Sequence, residues 1–599
     1  MDVLANRKFV AAAVALLLLA FVGQSLYFAA ISTYTYDETV SVINGYYYIT
    51  THDLRLGLSQ PPLSAYLSAI PLFFMHANFD FSRESCRTYD NWLCAQQVLF
   101  ESGNNAAQIL FFSRLVSILA MAGTGIVIFL FASRLFGSKA GLLSLALFAV
   151  NPVLISQGSL ALTNPFLTFF VALNLYMFFL LLKSFSWRLF TAFAATFALA
   201  MVSKVNAFLL LLVYALALLV LCLWKPAGFS ILGMSPQHIN WKAQIGLRPI
   251  AHSAFRGIAL LGRLAVFAAV AFIVVLAVYQ FQFGTLAGSV PPKNVHDFES
   301  KVLPKLPASV GAAAKAVVFR LPIPFPSFFS GAAWHSVAGQ GKVSFLNGAA
   351  FTGHKLFFIP IVLLAKTPVA FLLLAVFGLA ACFKRKLTND VIALLLLLSA
   401  AVAWVVFFSA SVNSGVAHLL PVYVFLAILA GAAATVKSRV VPAFIAVMLL
   451  WNVIAALSIA PHYLAYFNEL VGGPDRGHRI VGVPNFDWGQ DLPALKQYMA
   501  GSSIPSVKLS YFGTADPSYY GINHEYLASP RFQPWDPEYV PVVPKDYTEQ
   551  CGKATGIIAV SATNYYGVFL NNRGCYAWLQ SYAPIARPGH TIFVYNISG

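Results

Sequence analysis

Charge is scarce in this chain, and negative charge above all. Its 599 residues include 21 Asp or Glu against 38 Lys or Arg, and charged residues make up 10% of the whole, where an ordinary globular domain carries about 25%. With 59% hydrophobic residues and a mean hydropathy of +0.74, the composition excludes a water-soluble globule and predicts a polytopic membrane protein. Acids are almost missing from the apolar stretches themselves. Ion-driven transporters usually carry intramembrane carboxylates as coupling sites, so their scarcity argues against a transporter or flippase. Internal repeats and low-complexity tracts are absent, which excludes a solenoid or a tail-rich scaffold. No His, Cys, Asp or Glu cluster has metal-ligand spacing, so no metal is assigned. No cofactor is expected, although a divalent cation stays open.

What is present in abundance is apolar sequence. Residues 9–31, just after Arg7 and Lys8, form a run long enough to span a bilayer. No A-x-A-type cleavage site follows it, so it reads as an anchor. Further runs lie near 107–133, 140–156, 162–182, 189–203, 205–224, 264–283, 355–382, 389–410, 418–436 and 440–459, about eleven spans in all. With the N-terminus in the cytoplasm, the inside loops hold Arg134 and Lys139, Lys183 and Arg188, the stretch Lys225 to Arg263, Lys384 to Lys386, and Lys437 and Arg439. Every inside loop is basic, as the positive-inside rule requires. The C-terminus then lies outside, in the periplasm if the membrane is a bacterial inner membrane.

The net charge of +17 has the same origin: residues 1–460 hold 29 basic and 11 acidic residues, and residues 461–599 hold 9 and 10. The excess faces anionic lipid head groups, and no nucleic-acid binding is inferred. Seven of those 11 acids fall in the first external loop: Asp37, Glu38, Asp53, Asp80, Glu84, Asp90 and Glu101. Cys86 and Cys94 share that loop, and Cys551 and Cys575 share the exported tail. In an oxidising compartment, local disulfides Cys86–Cys94 and Cys551–Cys575 are expected.

Three parts are expected outside the hydrocarbon. Loop 31–106 contains "QPPLSAYLSAIPLFF", an amphipathic re-entrant or surface helix opened by Pro61 and Pro62. Loop 284–354 is rich in Pro, Gly and aromatics and reads as an ordered cover. Residues 461–599 shift to strand-like runs, "SVKLSYFG", "GIIAVSA" and "TIFVYNI", with a helical "DLPALKQYM". The fold class is therefore mainly α, with about eleven transmembrane helices over 1–460 and a small soluble α/β domain over 461–599.

Carboxylates at the external edge of a membrane suit chemistry at that boundary. Moving a sugar from a lipid phosphate to a hydroxyl needs one base for the acceptor proton and cations for the phosphate, which leaves as a stable anion. A glycosidase would need a second carboxylate across the bond. The acid pair Asp37–Glu38, with Arg, Lys and His at outer span ends, fits the transferase better. On the residues alone the pair also reads as a solvated feature of a span end, and the tyrosines around it as interfacial anchors.

Several segments in order resemble the phospholipid-carrier-dependent glycosyltransferases of the GT-C fold, the group of protein O-mannosyltransferases and the lipid A aminoarabinose transferase. They are "YDE", "QPPLSAYL", "SRLVSILAMAGT", "GSLALTNPFLTFF", "SKVNAFLLLL", "LLAKTPVAFLLL" and "HLLPVY". The tail "PHYLAYFNELVGGPDRGHRIVGVPNFDWGQDL" resembles a bacterial branch with an exported C-terminal domain.

That resemblance implies that Asp37 is the general base and that Glu38 orients the acceptor or the loop. It implies that Arg114 binds the donor phosphate, and that Lys204, His418 and Lys366 contact phosphate or sugar. Gln60 stands where relatives often have His or Lys, Asn164 where they usually have Asp, and Ala417 where Arg is frequent, so the expected site has lost charge. Bland readings accompany these: Arg114 and Lys204 as snorkelling cations, His418 as a helix-start residue. Asp487, Trp488, Gln490 and Asp491 read equally as substrate contacts or as the cap of the following helix.

The expected protein is thus an integral-membrane, inverting glycosyltransferase. It takes a sugar from a polyprenyl-phosphate carrier and gives it to an extracytoplasmic acceptor, in a groove between loops 31–106 and 284–354. The alternative is a non-catalytic relative that binds a lipid-linked glycan in a cell-envelope assembly complex.

Overall fold

The computed structural model describes residues 7–57, 60–224, 247–295, 319–338, 343–353, 355–384, 415–530 and 550–598, with isolated positions at 300, 400, 404–405, 407, 532–533 and 536–539. The chain is mainly helical. Among the described residues six helices are long and apolar enough to cross a membrane: Arg7–Ile31, Ala106–Phe136, Thr163–Lys183, Leu260–Val278, Val416–Thr435 and Val441–Ile459. Counting each of two bent pairs as one span makes eight. This is an integral membrane protein with six to eight candidate spans in its described part, against about eleven expected.

The difference has local causes. The run 140–156 is two helices, Ser138–Ala149 and Pro152–Ser159, bent by 65°. Asn151 caps the second by accepting from the amides of Val153 and Leu154, and Pro152 begins it, lacking only an N–H that has no partner in a first helical turn. The run 355–382 breaks at Thr367–Pro368 into Phe358–Lys366 and Val369–Phe383, bent by 107°. A proline removes one helix hydrogen bond and clashes with the turn before it. Here the side chain of Asn468 donates to the carbonyls of Leu364 and Thr367 that the break leaves over. The runs 189–203 and 205–224 yield the shorter apolar helices Trp187–Ser203 and Val205–Leu216. The run 389–410 lies almost wholly outside the described residues.

"QPPLSAYLSAIPLFF" forms Leu63–Ala69 and a tighter turn Ile70–Phe74. Its end leaves Ile70, Phe73 and Phe74 exposed, an apolar tip fitting the interfacial helix expected there. Of loop 284–354, the described parts are a two-residue pairing of Phe283–Gly284 with Ile323–Pro324, the helix Pro326–Ala338 and the hairpin Val343–Leu346/Ala349–Thr352.

The C-terminal region carries a four-stranded mixed sheet. Its spatial order is Ile592–Ile597, Gly556–Ser561, Val507–Ser510 and His524–Tyr526. The first pair is antiparallel and the other two are parallel. Three of these strands are the alternating runs noted in sequence. The fourth, "HEY", is too short to announce itself. Both disulfides are formed, Cys86–Cys94 and Cys551–Cys575.

Candidate active site

The segment between the first span and the helix Glu38–Thr51 carries the acid pair, and its two members have opposite surroundings. Asp37 is exposed. Glu38 is 0% exposed and forms an ion pair with the equally buried Arg114 at 2.6 Å. The guanidinium grips the carboxylate with two bonds, Nε to Oε1 at 2.9 Å and Nη2 to Oε2 at 2.6 Å. Glu38 also accepts from the amide and hydroxyl of Thr35, both at 2.9 Å, and from the amide of Ala161 at 2.8 Å. The Thr-x-x-Glu spacing is a capping-box pattern; here the glutamate closes the turn that leads into its helix.

Arg114 spends its remaining donors on the loop itself, on the carbonyl and hydroxyl of Ser32 (3.1 and 2.8 Å) and the carbonyl of Thr33 (2.8 Å). Arg114 is therefore bound to protein acceptors, where a phosphate contact was expected of it. Of the two tasks expected of Glu38, the structure shows it holding the loop. The physical reason is burial: a fully desolvated cation must be paired, and a bidentate carboxylate is its strongest partner.

A second cluster lies one step along the same network. Ala161, bonded to Glu38, begins the turn that carries Asn164. Lys204 donates to Asn164 Oδ1 at 2.7 Å and lies 3.3 Å from His418 Nδ1. For that contact to be a hydrogen bond, His418 must accept through Nδ1. Asn164 and Lys204 are buried and His418 half-buried. The hydroxyl of Ser64, in the helix after Gln60-Pro-Pro, bonds the carbonyl of Ser203 beside Lys204 at 3.3 Å. Gln60 is half-buried, and Ala417 is buried beside His418. Three of the expected residues thus meet, and the loop of a fourth adjoins them.

Lys366 does not join them. It ends the helix Phe358–Lys366, donates to the carbonyl of Leu464 at 3.0 Å and lies 4.3 Å above the Phe467 ring. Together with Asn468 it fastens the 464–468 segment to the helix break.

The motif "DWGQD" is neither exposed to substrate nor used as a cap. Asp491 occupies the cap position of Leu492–Gly501 but makes no side-chain cap bond. Instead the motif's backbone receives the loop: Thr33 N–H bonds the Gln490 carbonyl and Tyr36 N–H the Trp488 carbonyl, both at 2.9 Å. Asp487 accepts from the amides of Thr563 (2.8 Å) and Gly489 (3.3 Å). Burial pushes its carboxyl up to about 7 against the pull of those amides.

The tyrosines, read in sequence as interfacial anchors, are mostly packed within the protein. Tyr34 donates to the Ala106 carbonyl at 2.8 Å, and Tyr36 stacks on Phe512 and leans on Trp92. Tyr48 is buried and donates to the Gly57 carbonyl at 2.8 Å. The sequence hid this, because packing partners such as Phe512 lie hundreds of residues away. Residues that the sequence reading missed are Thr35, Ala161 and Thr514, whose hydroxyl donates to the Tyr36 carbonyl at 2.9 Å. Only Thr35 carried a sequence signal, the capping-box spacing.

A cavity of about 440 Å³ opens on a different face of the Ala106–Phe136 helix, between Pro71, Phe74 and His76 and the stripe Asn105, Gln108 and Phe112. Among the described residues no group of three or more His, Cys, Asp or Glu is placed to hold a metal.

Comparison with known proteins adds a family. Residues 99–232 match the model of the dolichyl-phosphate-mannose-protein mannosyltransferases; Arg114, Asn164 and Lys204 lie inside that stretch, Asp37 and His418 outside it. Curated proteins give no match. Among solved structures, the chain is similar to ArnT from Cupriavidus metallidurans bound to undecaprenyl phosphate, at 14% identity and TM-score 0.44 over 98% of both chains. It is also similar to the Archaeoglobus fulgidus oligosaccharyltransferase, as the apo form (13% identity, TM-score 0.40) and as AglB in complex with an inhibitory peptide and a dolichol-phosphate (13%, 0.41). Both of those alignments span 92% of this chain and 62% of the other. Residues 99–232 are thus similar to the dolichyl-phosphate-mannose-protein mannosyltransferases, within a chain that carries six to eight candidate spans among its described residues.

Proposed function

We propose that the chain transfers a sugar from a polyprenyl-phosphate carrier to an extracytoplasmic acceptor, with Asp37 as general base. The observation that supports this best is the division of labour in the acid pair. Glu38 is consumed by Arg114, Thr35 and Ala161, and Asp37 stays at the surface on a loop held from both sides. A base needs that combination of access and fixed position. In the reaction Asp37 takes the acceptor O–H proton while the acceptor oxygen bonds the anomeric carbon. The bond from that carbon to the phosphate oxygen breaks, and polyprenyl phosphate leaves with the electron pair. A single displacement of this kind inverts the anomeric centre.

Lys204 and His418, with Asn164, are the groups we assign to the donor's phosphate or sugar. Residues 461–599 form, on this reading, an exported domain that closes over the site. No cofactor is invoked. The deciding experiment is Asp37→Asn in a transfer assay with a panel of polyprenyl-phosphate sugars. A rate lowered roughly 10²–10⁴-fold with unchanged thermal stability supports the base; wild-type transfer by the variant refutes it.

One observation favours a second reading, in which the protein binds the lipid-linked sugar without turning it over. Lys204 meets a neutral amide at Asn164, where the resemblance leads one to expect a carboxylate. Asn164→Asp separates the two. Under the enzyme reading the wild type transfers sugar and the new carboxylate competes with the donor phosphate for Lys204. Transfer that appears only in the variant would establish the binding reading.

A further inference from the structure

The "DWGQD" motif is buried, rich in hydrogen bonds and so far without a part in the chemistry. We propose that Asp491 is a positioning residue that sets the loop presenting Asp37, acting through Gln490 and held in turn by Thr591. This inference rests on the glycosyltransferase reading above.

The geometry forms a continuous path. Thr591, which directly precedes the strand Ile592–Ile597, donates its hydroxyl to Asp491 Oδ2 at 2.6 Å. Gln490 donates its Nε2 to the same oxygen at 3.1 Å and to the Phe486 carbonyl at 3.1 Å. The other carboxylate oxygen lies 3.5 Å from His462 Nδ1. With its amide group so oriented, Gln490 accepts the Trp488 amide at 2.9 Å. That bond shapes the turn whose carbonyls at 488 and 490 take the amides of Tyr36 and Thr33. Asp37 is the next residue.

Two glycines make the path possible. Gly489 has φ +89, and a Cβ there would meet the Phe512 carbonyl oxygen at 2.8 Å. Gly589 has φ +61, and a Cβ there would lie 2.1 Å from Asp491 Cγ, inside the carboxylate. The sequence thus keeps side chains away from both faces of the turn. A helix cap would require none of this, and Asp491 makes no cap bond.

The test uses the full chain in phospholipid nanodiscs, with Asp491→Ala, Thr591→Val and Thr591→Ser. Two quantities are read: amide hydrogen exchange of the peptide containing Thr33 and Tyr36, and the kcat and donor KM of transfer. Asp491→Ala and Thr591→Val should speed exchange about tenfold, as the loss of one net hydrogen bond allows. They should lower kcat roughly ten- to hundredfold with donor KM unchanged, and Thr591→Ser should restore both. Unchanged exchange and kcat in Thr591→Val would overturn the proposal, as would a serine variant that restores neither. If Asp491→Ala fails to fold, the valine–serine pair still decides. Exchange that accelerates in the variants of a chain whose wild type transfers no sugar would keep the contact and sink the glycosyltransferase reading instead.

Discussion

Arg114 and Lys204 are two buried cations for which the sequence suggests the same task, and the fold treats them differently. Arg114 meets a carboxylate in a two-pronged grip, plus the carbonyls of the loop it holds. Lys204 meets an amide oxygen and an imidazole nitrogen. A guanidinium facing a bidentate anion has its charge answered inside the protein, and it works as part of the frame. Neighbours, rather than residue type, give these two cations different surroundings.

The comparison can be broken most forcefully at Glu38. Glu38→Gln leaves Arg114 as a buried cation without its carboxylate, a loss of about 3–5 kcal/mol. Thermal unfolding should show a large drop in Tm; a variant as stable as wild type would mean that Arg114 finds its partner elsewhere. The same loop should lose its protection against hydrogen exchange.

A smaller effect, of another kind, is expected at Lys204. Lys204→Met keeps the length of the side chain and removes the charge. Donor KM should rise by one to two orders of magnitude, on the order of 1.5–3 kcal/mol of a charged hydrogen bond, with little change in stability. If stability collapses while donor KM holds, Lys204 is a second Arg114 and the contrast disappears.

The third effect concerns Asp487 and is read through pH. Its carboxyl is raised to about 7 by burial, against roughly 4 in an unfolded chain. The folded state therefore binds this proton more tightly, and its stabilising contribution is complete below about 4. It declines as pH rises and is gone above about 7. Asp487→Asn should flatten that part of the stability–pH curve, measured by thermal unfolding between pH 4 and 8. An identical slope in the variant would assign the dependence to other groups.

How much of this was legible beforehand follows from what each signal depends on. Spans were readable because hydrophobic length is local, and Pro152 and Pro368 stand in the two runs that break. The bends were missed because the apolar run continues through each proline. Strands 507–510, 556–561 and 592–597 were visible from their alternation, whereas their order was not, since pairing is set at long range. Asp37 and Glu38 were found as a pair, but nothing in "YDE" says which acid turns inward. That depends on Arg114 lying 76 residues away. "DWGQD" looked like a helix start because Asp491 precedes a helix, and its actual partners are Thr33, Tyr36 and Thr591.

The long reach of these contacts also bears on how the protein is made. Thr39 and Thr514, bonded through their hydroxyls, are 475 residues apart, and the amides of Thr33 and Tyr36 find their carbonyls almost as far down the chain. At roughly 5–20 residues per second of synthesis, the loop bearing Asp37 is made on the order of a minute before the segment that receives it exists. Until then the loop is held by Arg114 and by its contacts with Ala106 and Ala161. A ribosome that stops short therefore leaves a membrane protein with its spans in place and the loop bearing Asp37 without the carbonyls of Trp488 and Gln490.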